Sequence, residues 1–185
     1  MTGFAFPYRL SDLPPIVGRT ALPLAVAGLV LAGVGASAPL AAQAHTYARV
    51  APNDMSLCAP GKGPAVRITV SGMKSSTGHL FVRTYPANKH DWLKSKRYIM
   101  KVEATPSEGG VAVCVPLPSA GDYAIAIQHD VNGNRKTDFS IDGAGMSNNP
   151  TISTFLGIPR PPALEKVRFT AGEGVTRMAI AIRYL

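Results

Sequence analysis

Gly121 to Gln128 is the segment that most constrains how this chain can fold. Tyr123, Ile125 and Ile127 alternate with the small residues Ala124 and Ala126. A period of two sends bulky side chains to one face of a strand and small ones to the other, and it leaves a helix with no apolar stripe. The alternation recurs. Val66, Ile68 and Val70 share a face, as do Val111, Val113 and Val115, and Met178, Ile180, Ile182 and Tyr184 alternate with Ala179, Ala181 and Arg183. His79–Tyr85, Arg97–Ala104 and Lys166–Thr170 add three further runs with strand composition. Turns separate them: Gly72–Gly78, Pro106–Gly110, and Pro116 with Pro118. One helix is expected, over Lys89–Lys94 with Asn88 as its cap, where Trp92 and Leu93 would cover an open end of the core.

About seven short strands without a βαβ rhythm predict an all-β fold, an antiparallel β-sandwich of immunoglobulin-like or transthyretin-like type. A small closed barrel is the alternative.

The N-terminus reads as a targeting segment. Arg9 and Arg19 precede an uncharged apolar run from Ala21 to Ala36, and Ala42-Gln43-Ala44 fits the A-x-A pattern of signal cleavage. That run is short of the roughly 20 residues needed to span a bilayer. The expected division is residues 1–44 as signal peptide, 45–64 as an irregular Pro/Gly-rich arm, and 65–185 as the sandwich domain. No second apolar run could span a membrane, so the mature chain is expected in the periplasm or secreted.

The chain carries a formal net charge of +8, and removing Arg9, Asp12 and Arg19 with the leader leaves it basic. Its cations are dispersed, dense only at Lys94-Ser95-Lys96-Arg97. With the export signal and no basic helix, this argues against nucleic acid and suits lipid head groups, acidic glycans or a solvated surface. The two cysteines, Cys58 and Cys114, fall in the mature part. An oxidising compartment favours one bridge between them, with a stabilisation of about 4 kcal/mol in the chain-entropy view.

A polar loop follows the clearest strand. Asp130, Asn132, Asn134 and Asp138 stand at offsets 0, 2, 4 and 8, matching positions 1, 3, 5 and 9 of a calcium loop, with the Lys136 carbonyl at position 7. Position 6 is Arg135 rather than glycine, and position 12 is Ile141, with Asp142 one place late. Two carboxylates predict weak, millimolar-class calcium binding. The alternative is a loop of Asx turns whose side chains bond their own backbone. About 35 residues, from Asp130 to Glu165, pass without strong periodicity.

Gly121 to Asn134, with its G-D-Y and H-D-x-N-G-N elements, and Gly143-Ala144-Gly145-Met146-Ser147-Asn148-Asn149 resemble the signature of a bacterial exported family, domain of unknown function 2141. The resemblance runs from about Ala65 to Leu185, including Arg183-Tyr184. It implies a periplasmic or secreted β-sandwich with no assigned activity. The chain departs from the family at Arg135, where glycine is common, and over Phe139–Asp142, where members differ.

Catalysis has little footing in the residues. His129 beside Asp130 could form a base and its orienter, with Asp138 near, but neighbours on a strand point to opposite faces. Ser140 and Ser147 lack a nucleophile elbow, and His79 and His90 have no ligand spacing with His129. His129 is expected instead to pack at a strand end and anchor the loop. Tyr47, Trp92 and Phe155 could stack on sugars, or pack. Pro159-Arg160-Pro161-Pro162 could present an extended segment to a partner or stiffen the loop. The function expected is a non-catalytic exported binding or accessory module whose ligand the sequence does not identify, with an envelope glycan or protein as candidate partner and its loop ordered by calcium. The alternatives are a hydrolase-like enzyme using His129, Asp130 and Asp138, and a purely structural domain.

Overall fold

The computed structural model describes residues 46–156 and 158–184; the signal segment expected over residues 1–44 lies outside them. Among the described residues eleven strands form in chain order: β1 (Arg49–Pro52), β2 (Ala65–Met73), β3 (His79–Pro86), β4 (Met100–Ala104), β5 (Gly109–Pro116), β6 (Gly121–Asp130), β7 (Gly143–Met146), β8 (Ser153–Phe155), β9 (Ile158–Arg160), β10 (Phe169–Ala171) and β11 (Val175–Ala181). A 3-10 turn, Met55–Cys58, lies between β1 and β2, and one short helix, α1 (Leu164–Val167), precedes β10.

The strands make a β-sandwich. One sheet runs β1-β4-β3-β6-β10, with β7 also paired to β6, and the other runs β11-β2-β5. The alternating apolar residues of both sheets form one core: Val66, Ile68 and Val70 meet Leu80, Val82, Tyr123, Ile125, Ile127 and Ile180. Two pairings are parallel, β1 on β4 and β11 on β2, so the sandwich is mixed at those places and antiparallel elsewhere.

Several local expectations change. The arm over residues 45–64 is not wholly irregular, because β1 docks along β4. Residues 89–94 form turns and not a helix. Asn88 does cap them, its Oδ1 accepting from the N–H groups of His90 and Asp91, but Leu93 and Lys96 adopt left-handed φ of 56°, which a helix cannot continue through. The helix falls at Leu164–Val167, where Leu164 and Val167 cover the small face of β6 at Ala124. The long loop carries β7, β8, β9 and α1. Pro159 lies in β9, paired with β8 as a separate hairpin. These segments are too short for a period to show in sequence.

Cys58 and Cys114 are joined, with sulfurs 2.03 Å apart. The bridge pins the Met55–Cys58 turn against β5. β7 approaches β11 and the residues after it closely: a Cβ on Gly145 would lie 2.8 Å from Ile180 Cγ2, and one on Gly143 would lie 2.4 Å from Ile182 Cγ2 and 2.6 Å from the Tyr184 ring. Among the described residues no helix is long and apolar enough to cross a membrane.

Candidate functional site

β6 delivers two consecutive polar residues to opposite faces of its sheet. His129 pairs with Leu80 and points into the core, where it is fully buried. Its Nε2 lies 2.9 Å from the Thr77 carbonyl, which can only accept, so Nε2 carries the proton. Nδ1 is then free to accept from the Tyr184 hydroxyl at 2.6 Å. Tyr184 also accepts the Lys74 N–H at 3.2 Å. Burial raises the Tyr184 hydroxyl above its ordinary value, and the Asp142 carboxylate adds to that rise. His129 therefore ties the β2–β3 turn to Tyr184, and in that turn the Thr77 hydroxyl donates to the Val131 carbonyl at the start of the polar loop. Both ring nitrogens are engaged and the side chain points away from Asp130, so the base–orienter pair does not assemble.

Asp130 faces outward beneath the loop and is also fully buried. Its Oδ2 accepts the Arg135 N–H at 2.8 Å, and its Oδ1 has no hydrogen-bond partner. The loop closes on itself by Asx turns. Asn132 Oδ1 accepts from the Asn134 N–H, and Asn134 Oδ1 from the Lys136 N–H. The amides of Asn132 and Asn134 both donate to Asp138 Oδ2, at 2.9 and 2.7 Å, and hold the Asp138 carboxyl below its usual range. The Lys136 carbonyl accepts from Gln128 Nε2 at 2.5 Å. Asp130, Asn132, Asn134, Lys136 and Asp138 thus belong to one closed hydrogen-bonded loop.

Arg135 takes a φ of +62°, so the left-handed turn that glycine would supply forms without glycine. In this turn its N–H reaches the Asp130 carboxylate, and its side chain is anchored as well. The guanidinium lies 3.4 Å from Glu103 Oε1 on β4 and 5.6 Å from the Phe81 ring centre on β3. These contacts fasten the loop to the outer face of the sheet.

Sequence reasoning missed the residue that organises the loop. Asp142 is buried; its Oδ1 accepts the Val131 N–H, and its Oδ2 accepts from the Asp138 N–H and Gln128 Nε2, both at 3.0 Å. One carboxylate therefore joins both ends of the loop to β6. A sign was present in Gln128, a polar residue inside the most regular strand, which needs a partner when buried. Among the described residues no three His, Cys, Asp or Glu side chains converge on a point that could hold a metal, so a cation here would draw on the asparagine and backbone oxygens as well.

The Ser147-Asn148-Asn149 element is a clasp. Ser147 Oγ accepts the Ile125 N–H and donates to the Val167 carbonyl. Asn148 donates to the Arg168 carbonyl, and Asn149 exchanges two hydrogen bonds with Ala179 and Ala181 of β11. A family model described as an uncharacterized protein conserved in bacteria, DUF2141, matches residues 68–179, a span that holds both the Asx loop and this clasp.

The chain belongs to the DUF2141 family. No curated protein and no solved structure matches the chain. Within this DUF2141 domain the aromatic candidates differ in access. Trp92 is half-buried, its indole N–H donating to the Pro162 carbonyl at 3.1 Å. Tyr47 donates to Asp91 and stacks under Arg97. Phe155 stands 55% exposed on the β8–β9 hairpin beneath the Arg160 guanidinium.

Proposed function

We propose that this DUF2141 domain is a non-catalytic binding or accessory module, exported to the bacterial envelope or beyond, whose Asp130–Asp142 loop takes up calcium. One observation carries the calcium reading: Asp130 Oδ1 is buried with no donor. A carboxylate oxygen removed from water and left unpaired is costly, and a hard cation inside the loop would satisfy it. The geometry supports this in a second way. The Asx turns use one lone pair on each asparagine oxygen and leave the other, and Arg135 already holds the turn that calcium loops assign to glycine. The disulfide supports export, and the exposed Phe155 supports an envelope glycan or protein as partner.

The test is the melting temperature of the mature, oxidised protein against calcium, with chelator and magnesium as controls. Calcium at about 10 mM should raise the melting temperature, as expected for millimolar-class binding, and Asp130→Asn should abolish the rise. No rise in the parent, or an equal rise in the variant, would mean that the loop is held by its own hydrogen bonds alone.

A further inference from the structure

The outer face of the three-stranded sheet carries an arrangement that the polar loop does not explain. Arg67 on β2 and Arg177 on β11 are direct register partners in a parallel pair, so their Cα atoms sit about 4.8 Å apart. Parallel partners project to the same side, and here that side is outside the core. Thr69 follows two residues along β2 on the same face, paired with the small residue Ala179. These residues, with Met178, line an open groove of about 220 Å³. Arg67 is half-buried, whereas Arg177 and Thr69 are exposed.

Two like charges directly opposite on neighbouring strands destabilise a sheet. Three other guanidinium groups pair with carboxylates, Arg97 at Asp91, Arg135 at Glu103 and Arg168 at Asp122, and Arg83 and Arg183 bond neutral oxygens of Gln128 and Pro150. Among the described residues Arg67 and Arg177 have no such carboxylate. We propose that the Arg67–Arg177 pair, with the Thr69 hydroxyl, is a binding site for a phosphate-type oxyanion. Each guanidinium presents a planar fork of N–H donors suited to an oxyanion edge. Two forks and a hydroxyl lining one groove on a single sheet face suit the several acceptor oxygens of a tetrahedral phosphate better than the two of a carboxylate. The small side chain of Ala179 leaves the space open. The phosphate can be free or carried on a lipid head group, since both present the same oxygens.

The site is tested on the mature, oxidised protein in calcium-free buffer at constant ionic strength, which keeps it independent of the Asp130 loop. Inorganic phosphate, with acetate as control, is titrated by calorimetry and by melting temperature. Phosphate should bind saturably and more tightly than acetate. Arg177→Gln and Arg67→Gln should each weaken it by about tenfold or more, the scale of a charge-assisted hydrogen bond. In phosphate-free buffer Arg177→Gln should melt no lower than the parent, because the like-charge contact is gone. Co-sedimentation with phosphatidylglycerol vesicles, against phosphatidylcholine alone, separates the sources. Pelleting that Arg177→Gln abolishes assigns a lipid head group, and phosphate binding without pelleting assigns a free or soluble phosphate. Phosphate binding no tighter than acetate, or equal in parent and both variants, overturns the proposal.

Discussion

Asn53 and Asn149 close opposite edges of the same three-stranded sheet with the same device. Asn53 Nδ2 donates to the Ala112 carbonyl and its Oδ1 accepts the Cys114 N–H, at 3.0 and 2.9 Å. Asn149 Nδ2 donates to the Ala179 carbonyl and its Oδ1 accepts the Ala181 N–H, at 2.9 and 2.8 Å. In each case one amide occupies the carbonyl and the N–H that an added strand would take. Unpaired edges invite other chains, and these amides block both edges of β11-β2-β5. Asn53→Ala with Asn149→Ala should lower stability by about 1 kcal/mol per side chain in denaturant unfolding. The double variant should also aggregate at concentrations where the parent stays dispersed, as read by light scattering.

Tyr184→Phe removes the donor to His129 Nδ1 inside the sandwich. The imidazole would keep its bond to Thr77 and lose the other. An unsatisfied buried acceptor costs about 1–3 kcal/mol, so the variant should unfold at lower denaturant with an unchanged slope. A loss near zero would mean that water or a rotated imidazole replaces the phenol.

Arg135 separates backbone strain from side-chain anchoring. Arg135→Ala keeps the φ of +62° and loses the Glu103 and Phe81 contacts. Arg135→Gly loses the same contacts and relieves the left-handed backbone. The glycine variant should be more stable than the alanine variant by about 1 kcal/mol. Equal stabilities would show that the turn relaxes once the side chain is removed.

Asp91 sets an acid response. Its carboxyl is 1% exposed. Burial alone would raise its pKa, but hydrogen bonds from Asn88, Tyr47 and Arg97, with the Arg97 charge, outweigh burial and hold it below the ordinary value. A carboxyl depressed in the folded state binds protons more readily when unfolded. Its stabilisation is therefore complete above the unfolded value near ~3.9 and is lost as pH falls through the lower folded value. Asp91→Asn should cost about 1–3 kcal/mol at neutral pH. It should also flatten the fall in melting temperature below about pH 4. A variant with the same acid slope as the parent would place the response elsewhere.

Much of the fold was legible because strands record their two faces in sequence. Val66, Ile68 and Val70, and Tyr123, Ile125 and Ile127, all enter the core as their alternation requires. The helix over Lys89–Lys94 was misplaced because a capping asparagine marks a turn as readily as a helix, and only the backbone at Leu93 and Lys96 separates them. The loop's oxygen pattern was visible. Its organiser Asp142 was not, because that role depends on Gln128 and Val131 arriving beside it in space.

By itself the sequence determined what repetition encodes: an all-β chain of short strands, a strand leading into an oxygen-rich polar loop, and two cysteines available for one bridge. Tertiary structure alone decided which strands run parallel, which way His129 points for a partner, and that Arg67 and Arg177 stand side by side. The reason is physical. Periodicity reports which face a residue takes along its own strand, whereas register between strands is set by how distant segments pack, and no single segment carries that information.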